Sequence, residues 1–366
     1  MLNKLKVIAE EAGLNVLILS APDNVEYFTE VPTLADGVAL LVYEKKEDSI
    51  SLYVPLLEYY RYRDHLPQTV NVYAVSKTTK LVDAPVVELD WGEIAGKYRE
   101  KEKIGFDASH PSPLQKTIYS VIGEKSVDIS NHVWRTRMIK SSKEIESIRE
   151  AVKVTARGIL AVYAGLRDGV TETSLTGLFE KTVRENGVER LAFDPIIVFK
   201  PNNAYPHALP SNRVLRSRDL VLLDVGVKVN GRCSDITRMI TWGKPTKDEK
   251  NSIEAVVEAL ETAIDAIKPG VKAGDVHESA VKTLDKYGLR DRFIHGLGHG
   301  VGVVVHEPPY LRTGNNTTLE PGMVVTVEPG VYFPGKYGVR VEELVVVTKK
   351  GCRVLSKNLD KVLNAL

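Results

Sequence analysis

The stretch HGLGHGVGVVVHEPP, from His295 to Pro309, holds three histidines and four glycines within fifteen residues. Imidazoles beside bare backbone suit metal binding or proton transfer at a closely approached substrate, because glycine leaves room where a side chain would intrude. His299 and His306 are an odd number of positions apart. On one regular strand they would face opposite ways, which argues against their chelating a single ion and assigns one to metal and the other to substrate.

Carboxylates of the right kind lie nearby in sequence. Asn230-Gly231 separates two β-rich runs, a strong two-residue hairpin signal. With those residues as the turn, Val229 faces Arg232, Gly226 faces Asp235 and Val225 faces Ile236. Asp224 then shares a sheet face with Asp235, at a diagonal spacing of roughly 7–8 Å between Cα atoms. Such a pair can reach two metal ions roughly 3.5–4 Å apart. In TVEPG and GVRVEE, Thr326 shares a face with Glu328, and Arg340 with Glu342. The loop from Pro334 to Gly338 can set Glu328 roughly opposite Glu342, to within a residue or two of register. Asp224 follows LVLL and Glu328 follows MVVTV; strands that apolar imply burial, and a buried charge needs a partner or a metal.

Other motif readings fail on context. No helix N-terminus follows the glycines of HGLGHGVG, so they are not a dinucleotide fingerprint. H-E-P-P-Y is not the H-E-x-x-H of a helical zinc site, since its prolines exclude the helix. No G-x-S-x-G or G-K-[ST] motif occurs. His65, His110, His132 and His277 are taken as ordinary core or surface histidines, and His295 sits near the site without an assigned partner. The chain has 366 residues and a formal net charge of +1, which suggests two domains and gives no cause to expect nucleic acid or an anionic membrane. Two cysteines are too few for a disulfide framework, and no signal peptide or membrane span is evident. A cytoplasmic protein is expected.

The elements that must position these residues follow a simple order. Runs such as NVLILS, GVALLVYE and ISLYVPL alternate with helical stretches, among them IAGKYREKE and the run from Ser112 to Ile122, giving an α/β N-terminal domain over 1–130. DNVEYFTEVP, from Asp23 to Pro32, has the character of a loop. A linker at 131–141 leads to a second domain, 142–366. Ser141 with Glu144 forms a capping box ahead of a long helix from Ser142, and Thr246 with Glu249 forms another. A third helix spans Asp275 to Tyr287. Long β segments lie between and after these helices, which predicts an α+β domain with helices over an antiparallel sheet.

DVGVKVNGRCSDITR, IHGLGHGVGVVVHEPP, EPGMVVTVEPGVY and GVRVEE together resemble the motifs of the pita-bread metallopeptidases, in their proline-specific branch of Xaa-Pro dipeptidases (prolidases) and aminopeptidases P. The resemblance covers the whole C-terminal domain, extends to WRTRMIKSSKEIESIREA, and is weaker at DNVEYFTE. It implies a creatinase/prolidase-like N-terminal domain, a pita-bread catalytic domain and five metal ligands: Asp224, Asp235, His299, Glu328 and Glu342, with Asp235 and Glu342 bridging two divalent ions. Mn, Co or Fe(II) suit this hard donor set and Zn is possible. The resemblance further gives His207 (in NNAYPHALP) and His306 contact with substrate and the tetrahedral intermediate, Glu328 a proton relay, and Arg340 a place beside the site. A water bridging the ions would attack the bond before proline. Xaa-Pro dipeptides are the expected substrate; the alternatives are an aminopeptidase P acting on longer peptides and a non-catalytic binding protein of the same fold. A homodimer is also implied. Lys200 in VFKPNNAYPH and Glu30 in YFTEVP depart from the family pattern in regions expected to shape the substrate mouth.

Overall fold

The computed structural model describes residues 1–33, 37–79, 83–108 and 112–365; His110 lies outside them. The chain divides into two compact units, Met1–Arg137 and Met138–Leu366.

In the first unit, short runs of β-branched and aromatic residues build a seven-stranded sheet. Its order is Val86–Val87, Val70–Val75, Ser49–Pro55, Leu40–Glu44, Val16–Leu19, Ile104–Phe106, Ser126–Asp128. Leu40–Glu44 pairs antiparallel with both neighbours, and the other pairings are parallel. Val16, Ile18, Val42 and Phe106 pack with Ile94, Ile118 and Ile122 from the flanking helices.

The segment expected to be a loop, Asp23–Pro32, is mostly the helix Pro22–Thr29. Pro22 occupies its first turn, where no N–H is needed, and Glu30 closes it in the left-handed region. Asn24 to Thr29 are all buried. Asn24 donates to Asp107, and Arg137 donates to Asp23 and Asn24. Such tertiary contacts outweigh the weak helical preference of Asn, Val, Tyr, Phe and Thr. The segment 131–141 likewise carries helix, Ser130–Met138.

In the second unit, both capping boxes form. Ser141 accepts from the Glu144 N–H while the Glu144 carboxylate accepts from the Ser141 N–H, and Thr246 with Glu249 does the same. They start the helices Ser142–Gly165 and Lys247–Ala266. Each is followed by a shorter helix, Glu172–Glu185 and Ala273–Lys286. The helix Glu172–Glu185 is absent from the sequence expectation. Thr171 caps it through the Ser174 N–H, without the Glu or Gln at the third position that marks a capping box.

The order of two helices followed by strands thus occurs twice. The first half contributes most of a four-stranded sheet, ordered Val362–Ala365, Ile236–Trp242, Asp219–Val225, Ile196–Phe199. The second contributes a five-stranded sheet, ordered Glu307–Leu311, Gly298–Gly300, Val324–Val327, Glu343–Val347, Cys352–Val354. Central strands are buried on both faces. Val221, Leu223 and Val225 join the core of the first helix pair, while Leu220, Leu222 and Met239 join that of the second. That double burial explains apolar runs with no alternation. No helix among the described residues is long and apolar enough to cross a membrane.

Candidate metal centre and its mouth

The Asn230-Gly231 turn has both residues at positive φ, 49° and 69°, as a type I′ hairpin requires. Val229 pairs with Arg232 and Val225 with Ile236, the register the sequence predicts. The hairpin nevertheless changes sheets partway. Asp219–Val225 and Ile236–Trp242 belong to the four-stranded sheet, whereas Val227–Val229 and Arg232–Cys233 join Arg190–Leu191 in a separate one. The change falls at Gly226, where a Cβ would collide with the Ser234 carbonyl. Asp224 and Asp235 stand at that break.

The second hairpin behaves alike. Val327 pairs with Glu343 in the five-stranded sheet, and Gly330 pairs with Arg340 in a two-stranded one. The register is the same on both sides, so Glu328 faces Glu342 across the gap. Thr326 Oγ donates to the Glu328 carboxylate at 3.3 Å, confirming their shared face. Glu342 is tied to the first hairpin twice. Its N–H donates to the Thr237 carbonyl at 3.2 Å, and its carboxylate accepts from Thr237 Oγ at 2.9 Å. Thr237 shares strand parity with Asp235, a signal the sequence offers.

The histidine stretch does not form one strand. His299 lies in Gly298–Gly300, and His306 immediately precedes Glu307–Leu311 after a tight loop. The expectation that the two imidazoles face apart therefore fails: their ring centroids are 4.4 Å apart. The glycines make this possible. A Cβ at Gly298 would strike the Thr326 carbonyl, one at Gly300 the Pro308 carbonyl, and one at Gly302 the Glu307 carboxylate. Glu307 is itself buried and paired with Lys140 Nζ at 2.9 Å.

Three overlapping groups place their ligand atoms within 4.8 Å of one another: Asp224, Asp235 and Glu342; His299, Glu328 and Glu342; Asp235, His299 and His306. His299 Nδ1 lies 3.0 Å from the Gly300 carbonyl. A carbonyl only accepts, so Nδ1 carries a hydrogen and Nε2 is the nitrogen turned to the acidic cluster, the one a bound metal would take once it gives up its proton. Nε2 is 3.3 Å from Glu328 and 3.6 Å from Asp235.

The electrostatics fit divalent cations. Burial, then the charges of Glu342 and Asp224, push Asp235 well above the usual carboxylate range. Burial, then Glu328 and Asp224, do the same to Glu342. Burial alone would raise Glu328, but its hydrogen bond to His299 and that ring's charge bring it below its ordinary value. Asp224 Oδ1 and Glu342 Oε1 are buried without a hydrogen-bond partner among the described residues. An acidic cluster with orphaned oxygens and one imidazole is compatible with bound metal.

Arg340, nearly fully buried, organises one wall. It donates to Asp224, to the Pro206 carbonyl at 3.3 Å and to Tyr332 Oη at 2.6 Å. Tyr332 lies 3.1 Å from His295 Nε2, and His295 Nδ1 faces the Gly296 carbonyl. His295 therefore has a definite partner, which the sequence does not reveal. His207 and His306 are exposed, and both line a cavity of about 860 Å³ together with Arg340, Tyr205, Leu209, Tyr310 and Arg312. Lys200 does not line it; its ammonium pairs with Glu249 and the Arg218 carbonyl, each at 2.9 Å.

Buried acidic hairpins meeting an imidazole at the base of a cleft define a hydrolytic metal-centre protein. The chain belongs to metallopeptidase family M24, whose model matches residues 146–349, and the creatinase/prolidase N-terminal domain matches residues 1–139. It is 32% identical over 368 residues to the Xaa-Pro dipeptidase of Pyrococcus furiosus, covering 99% of each chain. The prolidase of Pyrococcus horikoshii superposes with a TM-score of 0.86 at 29% identity, over 98% of this chain and 99% of that one. The X-Pro aminopeptidase of Thermotoga maritima gives 0.87 at 28%, over 100% and 99%. The chain is thus a metallopeptidase of the proline-specific, pita-bread branch.

Proposed function

We propose that this enzyme hydrolyses Xaa-Pro dipeptides with two divalent ions held by Asp224, Asp235, His299, Glu328 and Glu342. The convergence of all five side chains from two hairpins and one loop carries the reading. Asp235, Glu342 and His299 each occur in two of the three ligand groups; of these only the carboxylates carry two oxygens with which to bridge, leaving Asp224 to one ion and His299 with Glu328 to the other. Oxygen-rich donors favour Mn, Co or Fe(II), with Zn possible. Such a pair supplies an acidified water and a polarised carbonyl oxygen.

The remaining chemistry belongs to the chain. Glu328, whose carboxylate also accepts from Thr326 Oγ, takes a proton from the attacking water and passes it to the proline nitrogen as that bond breaks. Although His306 as a whole is exposed, its ring faces the cleft, where desolvation lowers its pKa; a neutral ring can donate a hydrogen bond to the developing oxyanion. His207 donates from the facing loop. Arg340 holds Asp224 in place and, through Tyr332, orients His295.

Arg312 favours the dipeptide over a longer peptide. It lines the cavity, near Tyr310, where it can receive the free carboxylate that a dipeptide's proline carries. The likeness to an X-Pro aminopeptidase keeps cleavage of longer peptides as the second reading. The deciding experiment assays Met-Pro and Ala-Pro-Ala on metal-stripped protein after adding back Mn, Co or Zn. Cleavage of the dipeptide alone establishes the first reading; efficient tripeptide cleavage establishes the second; no cleavage with any metal overturns both. A homodimer in the reduced cytoplasm belongs to the same reading, and two free cysteines agree with that compartment.

A further inference from the structure

His207 has no hydrogen bond to its ring among the described residues and is exposed at the mouth. Its position therefore depends on the backbone that carries it. That backbone, from Phe199 to Ser211, is fastened at both ends to one carboxylate outside the site. Glu172, in the first turn of the helix Glu172–Glu185, is 0% exposed. Its Oε1 accepts from the Phe199 N–H at 2.7 Å. Its Oε2 accepts from the Ser211 N–H at 2.8 Å, from Ser211 Oγ at 2.7 Å and from Asn202 Nδ2 at 3.1 Å. Asn202 Nδ2 also reaches the Leu209 carbonyl at 3.1 Å, so the clamp extends across the loop. Between these anchors, Tyr205, Pro206, His207, Ala208 and Leu209 line the cavity.

A fully buried carboxylate is retained at a large desolvation cost unless donors surround it. Here four donors do so, and all come from the loop that presents His207. We propose that Glu172 is a positioning residue: by gathering the two ends of 199–211 it fixes where His207 meets substrate. The inference rests on the reading that His207 contacts substrate. A misplacement of about 1 Å in such a group can cost about 100-fold in rate.

The test compares Glu172→Gln, His207→Ala and the double variant in kcat, KM, metal content and backbone amide exchange. Glu172→Gln places an amide NH2 among N–H donors. It should lower kcat/KM about 10- to 100-fold with metal content unchanged and faster exchange at Phe199 and Ser211. The double variant should be no slower than His207→Ala, because the clamp acts only through that ring. Two losses that multiply, or an unchanged Glu172→Gln, overturn the proposal. If His207→Ala alone leaves kcat/KM unchanged, the substrate role of His207 fails first and the proposal falls with it. Should Glu172→Gln not fold, Ser211→Ala deletes a single donor and is held to the same criteria, with about a 3-fold loss expected.

Discussion

The hairpin around Asn230 and the hairpin around Gly335 present their carboxylates alike, yet the histidines near them are held by unrelated means. Each hairpin keeps one register from end to end and changes sheets at its acidic pair. The gap in the ladder lets Asp224, Asp235, Glu328 and Glu342 turn toward one centre. His207 and His306 have no such ladder. His299 and His306 flank a glycine-lined loop that closes over the buried Lys140–Glu307 pair, whereas His207 rides a loop gathered by Glu172. Ligands placed by strand register are thus locally specified, and substrate-facing groups depend on charges buried elsewhere.

The largest effect should come from the register-placed ligands. Asp235→Asn is expected to abolish metal binding at its position and lower kcat/KM by on the order of 10³-fold, about 4 kcal/mol. The metal-free variant should melt no lower than the metal-free parent, because the change removes one buried charge from a repelling cluster. A variant that melts lower yet keeps its activity would break the contrast between the hairpins and the clamps.

Lys140→Met examines the other side. It strands the Glu307 carboxylate, 1% exposed, and removing one partner of a buried pair costs about 3–5 kcal/mol. Chemical denaturation should register that loss, and kcat/KM should fall as the His306 loop loosens, while ligand affinity measured by metal titration stays near that of the parent. An unchanged midpoint would show that the glycine packing holds the loop unaided.

The smallest effect concerns pH. Asp235 and Glu342 are raised by burial first and by neighbouring carboxylates next. A raised group binds protons more tightly in the folded state. Its stabilising contribution is complete below the unfolded value of ~4 and is lost as pH rises through the folded value. Metal-stripped protein should therefore lose Tm as pH climbs above the ordinary carboxylate range. Metal-loaded protein should not, since binding keeps these ligands deprotonated. Melting curves of both forms across that range settle the sign; parallel curves would mean the acidic pairs are relaxed without metal.

Much of the site is legible before folding is considered. Ser141 with Glu144 and Thr246 with Glu249 announce two helices, and the Asn230-Gly231 turn fixes which residues oppose one another. Where the sequence misleads, tertiary burial is the cause. Asp23–Pro32 looks irregular because Asp23 and Asn24 find Arg137 and Asp107 far along the chain. His299 and His306 look opposed because the parity rule assumes one strand, and the glycines permit a loop instead. The helix Glu172–Glu185 escapes notice for want of an acidic residue three positions after its cap.

The sequence by itself determined the Asp224–Asp235 pair, the shared faces of Thr326 with Glu328 and of Arg340 with Glu342, and the helices that open each half of the second unit, since caps, turns and the two-residue period act between near neighbours. Only the tertiary structure decided that Thr237 meets Glu342, 105 positions away, that Tyr332 partners His295, and that Glu172 and Lys140 reach the loops of His207 and His306. Those pairings follow from how doubly buried strands pack between two helix pairs, and packing between distant segments leaves no periodic trace in the residues that make it.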